Sequence, residues 1–187
     1  MDEDNYTADF TEVFKNIKEE SFTLDDQLFL RLRNILSEEE RQEMLRDADW
    51  QLKVNYCSQV PPHQTNDNLH ELEFFYRHES WKKLYGVIRR KIHSNLKLNS
   101  VWINLSKEDN RYEFHCHPET DITAVYYLQN RFPEYGTMLE KTGVNIMGFE
   151  NSILFMNTKI FHSVTNMPPI LAKDNHRYSI AFDFVED

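Results

Sequence analysis

RYSIAFDFV, residues 177–185, alternates with period two: whichever way Arg177 faces, Ser179, Ala181 and Asp183 face with it. Seven other short β-rich runs precede it after Leu98: SVWINLS (100–106), RYEFHCH (111–117), DITAVYYLQ (121–129), TMLEKT (137–142), VNIMGF (144–149), SILFM (152–156) and FHSVTN (161–166). Turn-like residues separate them, and eight short strands in series are the pattern of a small antiparallel barrel or jelly roll. The fold expected is mainly β, cupin-like, with helices ahead of it. The chain reads as one domain over 1–187, with a mostly helical support region at 1–98 and the β core at 99–187.

Within the support region, Phe10, Val13, Phe14 and Ile17 recur at helical spacing. Leu28, Leu30, Leu32 and Ile35 suggest another helix, or a short strand running into one. Ser37 with Glu40 reads as a capping box opening an acidic helix. WQLKVNY (50–56) alternates like a strand, Pro61 to Asn68 reads as a polar loop, and Ser80 to Leu96 reads as an amphipathic helix with its basic residues opposite the apolar face.

Composition narrows the function. Lys and Arg number 21 against 31 Asp and Glu, a formal charge of −10, so a phosphate backbone would be repelled and nucleic acid is an unfavoured partner. A peptide or protein substrate, or a small molecule, fits better. Cys57 and Cys116 are too few for a disulfide framework and read as free thiols of a reducing compartment. The start, MDEDNYTADF, lacks the apolar stretch of a signal peptide, and no run of about 18 apolar residues is present to span a bilayer. A soluble cytoplasmic protein is expected; oligomeric state is not readable.

Three of the eight histidines lie inside the strand runs. His115 and His117, two apart, face one side of an extended strand, and His162 sits in another apolar strand. Three protein ligands leave coordination positions open, as a catalytic metal requires. Taken alone, a histidine pair on a strand is more often surface or core than ligand. Arg177 shifts the balance: an inward arginine opening a core strand calls for an anionic partner, and a carboxylate matches its bidentate fork.

FHCHP (114–118), DITAVYYLQ (121–129), ENSILFMNTKIFHSV (150–164) and RYSIAFDF (177–184) together resemble the Fe(II)- and 2-oxoglutarate-dependent oxygenases, in particular the prolyl-hydroxylase-like branch and its small bacterial and phage relatives. The resemblance covers roughly residues 99–187. It implies a double-stranded β-helix holding iron(II) through His115, His117 and His162. It further implies that Arg177 grips the far carboxylate of 2-oxoglutarate, with Tyr127 and Ser179 assisting. Oxidative decarboxylation of 2-oxoglutarate by O2 would then be coupled to hydroxylation of a C–H bond, with ascorbate as an optional reductant. Alternation adds Thr123 and Val125 to the face carrying Tyr127, and places Asn104 on the strand before the histidine pair. Asn104 and Asp183 are candidates for cosubstrate or substrate contact, and Thr123 and Val125 for substrate contact.

The chain departs from that pattern in two places. Position 117 is His where the family carries Asp or Glu, which would leave iron(II) at net +2 rather than +1; Asp121 is an alternative ligand, with His117 then behind it. Arg177 follows His162 by an unusually long interval, filled by TNMPPILAKDNH (165–176), which reads as an inserted loop that could border the substrate entrance. Val125, Ile153, Phe155 and Phe161 could keep water from the site. The polar 59–70 stretch could act as a lid, with His63 and His70 at its surface. Two other readings stay open: a cupin-type metal enzyme that does not use 2-oxoglutarate, and a non-enzymatic β-barrel binding module with structural or zinc-binding histidines.

Overall fold

The computed structural model describes residues 11–57, 64–107, 113–173 and 175–187. Phe10 lies outside them, as do residues 59–63 of the stretch read as a lid, His63 among them.

Two antiparallel sheets face each other. The larger is built from β1 (Lys18–Leu24), β2 (Gln27–Arg33), β3 (Leu96–Ser106), β4 (Ile122–Gln129), β7 (Ser152–Asn157) and β9 (Arg177–Glu186), in the order β1-β2-β7-β4-β9-β3. The smaller contains β5 (Thr137–Leu139), β6 (Asn145–Ile146) and β8 (His162–Val164), in the order β6-β5-β8. His115 bridges His162 and so extends the small sheet by one more segment beyond β8. From β3 onward the chain crosses repeatedly between the sheets, giving the double-stranded β-helix. The run read as RYEFHCH contributes only the His115 bridge among its described residues.

Period-two alternation assigns the two faces of the large sheet. Val101, Ile103, Ala124, Tyr126, Ile153, Phe155, Ile180, Phe182 and Phe184 join one apolar core. That core also takes in Met44 and Ala48 of α2 (Glu38–Val54), Phe75 of α3 (Glu73–Arg77), and Trp81, Leu84, Val87 and Ile88 of α4 (Glu79–Arg89). The helices therefore cover the outer face, and residues at the intervening positions turn toward the small sheet. Ile153 and Phe155 belong to the helix-packed face, so they do not shield the site as expected. Phe161 is half exposed.

Ser37 and Glu40 form the anticipated capping box: the Glu40 N–H donates to Ser37 Oγ at 3.2 Å, and the Ser37 N–H to Glu40 Oε2 at 2.6 Å. The helix so launched runs through Val54, so WQLKVNY is the last turns of α2 and not a strand. Asp47 on α2 accepts from Trp81 Nε1 at 2.9 Å and pairs with His78 Nδ1 at 2.7 Å, locking α2 to α4.

The N-terminal region is less helical than its sequence suggests. α1 spans only Thr11–Asn16, and residues 18–33 form a hairpin. Its two-residue turn, Asp25–Asp26, takes positive φ at both positions (51° and 59°), matching the twist of the flanking strands. β2 then pairs with β7, so this hairpin widens the large sheet. No helix among the described residues is long and apolar enough to cross a membrane.

Candidate metal centre

His115 and His162 are opposite one another in an antiparallel bridge, each backbone N–H donating to the other's carbonyl at 2.9 Å. The His117 N–H donates to Thr158 O at 2.9 Å, which keeps that residue extended two places on. The three imidazoles consequently gather at one end of the small sheet, with ring centroids 4.7 to 5.3 Å apart. One nitrogen from each lies within 4.8 Å of the other two, close enough for a single ion.

Their outer nitrogens identify which atoms would bind it. His115 Nδ1 lies 3.0 Å from Glu113 O, His162 Nδ1 2.8 Å from Ile160 O, and His117 Nδ1 2.5 Å from Asp183 Oδ2. Carbonyl and carboxylate oxygens only accept, so each of these contacts calls for a proton on Nδ1, and the neutral ring then has its lone pair on Nε2. Neutral imidazoles with the second nitrogen tied to an acceptor are the donor set that divalent first-row metals take. His162 is the most buried of the three, and burial holds its imidazole well below the ordinary histidine value, at about 4. It is therefore neutral and ready to ligate across the physiological range.

The histidines open onto a cavity of about 550 Å³ between the sheets. Its other wall is the inner face of the large sheet: Trp102 and Asn104 from β3, Thr123, Val125 and Tyr127 from β4, and Arg177, Ser179 and Ala181 from β9. Arg177 is almost fully buried. Its Nη1 donates to Tyr135 O at 2.6 Å and to Gly136 O at 3.3 Å, and its Nη2 donates to Ser106 Oγ at 2.7 Å. Tyr127 OH is 2.6 Å from Thr137 Oγ1, and burial raises the Tyr127 pKa, so the phenol stays protonated. Gly148 lies under the Tyr127 ring, where a Cβ would stand 2.5 Å from Cε1. Asn104 sits opposite Ser179 across β3 and β9, and its backbone bridges Gln64.

Two expectations meet a different arrangement. Asp121 is turned away from the histidines: its Oδ2 accepts from the Glu186 N–H at 2.9 Å. Asp183 does not line the cavity; one carboxylate oxygen meets His117 and the other accepts from Thr123 Oγ1 at 2.5 Å. Register explains the second contact, because β4 and β9 place Thr123 directly opposite Asp183. The inserted loop holds a short helix, α5 (Pro169–Ala172), and none of its described residues lines the cavity. His70 is half-buried rather than at the surface, and burial lowers its pKa. Trp102, Glu113, Phe114 and Gln64 line the cavity without having been singled out from the sequence. Trp102 shares a strand face with Asn104, so alternation could have found it.

No family model and no curated protein matches the sequence. Solved structures do. A viral collagen prolyl hydroxylase from Paramecium bursaria Chlorella virus-1 aligns at TM-score 0.59 and 13% identity, over 91% of this chain and 97% of that one. HygX from Streptomyces hygroscopicus, crystallised with nickel and 2-oxoglutarate, aligns at 0.60 and 13%, over 84% and 82%. SnoN, a non-haem α-ketoglutarate-dependent epimerase from nogalamycin biosynthesis, aligns at 0.58 and 16%, over 84% and 77%. At these identities the likeness shows a shared fold.

Proposed function

We propose that this chain is an iron(II)- and 2-oxoglutarate-dependent oxygenase that hydroxylates a C–H bond of a peptide residue, prolyl included, or of a small molecule. The observation that carries the reading is the convergence of three metal-ready Nε2 atoms and a buried arginine on one cavity. His115, His117 and His162 hold the metal. Arg177 binds the distal carboxylate of 2-oxoglutarate, a role suited to its planar fork, while Ser179, Tyr127 and Asn104 donate to the cosubstrate from the same wall. Bound iron with 2-oxoglutarate and O2 supplies the oxidising power, and the protein supplies ligands, orientation and a water-poor pocket. Val125, and Thr123 beside it, face the substrate, and the half-exposed aromatic Phe114 forms part of the mouth.

Anaerobic titration of the iron(II)-loaded protein with 2-oxoglutarate tests this. A weak visible charge-transfer band of a chelated keto acid is expected, and Arg177→Ala is expected to raise the concentration needed by orders of magnitude. Iron binding without any band in the parent protein would move the assignment to a metal enzyme that does not use 2-oxoglutarate.

A further inference from the structure

The ordinary carboxylate ligand is missing at position 117, yet a carboxylate stands one hydrogen bond behind it. Asp183 is buried at 4% exposure, with Oδ2 at 2.5 Å from His117 Nδ1 and Oδ1 at 2.5 Å from Thr123 Oγ1. Both oxygens are thus committed, and the Thr123 hydroxyl, with a proton to give, fixes the carboxylate from behind. His115 and His162 have only neutral backbone carbonyls in the equivalent place. We infer that Asp183 is a positioning residue that replaces the missing ligand carboxylate: it fixes His117 in the Nδ1–H form with Nε2 toward the metal, and supplies the negative charge from one bond away.

The charge count supports this. Iron(II) with three neutral imidazoles carries +2, and the buried carboxylate returns the centre to +1, as one carboxylate and two imidazoles would have. A carboxylate also strengthens the imidazole as a donor more than a carbonyl does, so His117 becomes the strongest of the three ligands. The inference rests on the metal-site reading above.

Cobalt(II) alone, titrated calorimetrically into the metal-free protein, is the probe. Asp183→Asn retains the shape and an acceptor but removes the charge, and is expected to weaken cobalt binding by about 10- to 100-fold. Nitrogen-15 spectra of metal-free parent protein are expected to show His117 protonated on Nδ1, and Asp183→Ala is expected to shift that proton toward Nε2. Parent protein with His117 protonated on Nε2 overturns the inference without any variant. So does unchanged cobalt affinity in Asp183→Asn, provided that His162→Ala has lost binding. Cobalt binding that survives His162→Ala overturns instead the metal-site reading beneath it.

Discussion

His162 carries a clear pH signature in the metal-free protein. Burial lowers its pKa from the ordinary 6.5 to about 4 in the folded state, whereas the unfolded chain titrates near the ordinary value. Between those two values the unfolded state binds the extra proton and the native state does not. Stability contributed this way is intact above pH about 6.5 and falls as the pH drops toward about 4, by on the order of 3 kcal/mol. Urea unfolding midpoints at pH 7.0 and 4.5 will measure the loss, and His162→Gln is expected to shrink it. Strand alternation, which needs no tertiary information, already put His115 with His117 and Arg177 with Ser179; gathering those faces and His162 around one site was implied only by the family resemblance. The sequence could not reach the Asp183–Thr123 contact. That depends on which residue of β9 lies opposite Thr123, and register is fixed by turns and packing rather than by the strand's own pattern.

Among the elements, β4 and the turn carrying Gly148 form a unit in which the glycine makes room for a tyrosine ring. Gly148→Ala would push a methyl to within 2.5 Å of Tyr127, displacing the phenol from Thr137 and from the cavity wall. Such overpacking is expected to lower stability by about 1–3 kcal/mol and to weaken 2-oxoglutarate binding, read by thermal denaturation and by the same anaerobic titration. The elements misread from sequence were misread for identifiable reasons. Leu28, Leu30 and Leu32 can serve a strand or a helix end, and Asp25–Asp26 is an unobtrusive hairpin signal where glycine or asparagine would have been a plain one. WQLKVNY alternates although Trp50 and Val54 sit exposed on a helix and only Leu52 packs against the core, so its apolar spacing does not report one buried face. The capping box of Ser37 and Glu40, which opens this helix ahead of Trp50, was the better guide.

At the scale of the whole molecule, two sheets are held apart on one side by a cavity whose proposed ligating groups come from both. His115 and His162 belong to the small sheet, while Arg177, Ser179 and Asn104 belong to the large one. Anything bridging them stabilises the native state by mass action, about 2.7 kcal/mol at a hundredfold excess over its dissociation constant. Cobalt(II) and 2-oxoglutarate together are expected to raise the melting temperature more than either does alone; an effect of cobalt with no increment from 2-oxoglutarate would show that the second ligand does not span the gap. Seven of the eight strand runs were legible because each is short and bounded by turns, several of them alternating; RYEFHCH contributes only the His115 bridge among its described residues. The six-stranded width was not, since its outer hairpin comes from the region read as helical support.

The mutual backbone bonds of His115 and His162 also bear on how this chain can drift in length. Adding or deleting one residue beside either histidine would break both bonds and turn an imidazole to the opposite face of its strand. Between the pair lie 46 positions, 116 to 161, and a turn among them that holds neither the histidines nor Arg177 faces no such restriction. Orthologous chains that keep the centre are therefore expected to vary in length at the turn near 141–144, and never within a residue of the paired histidines.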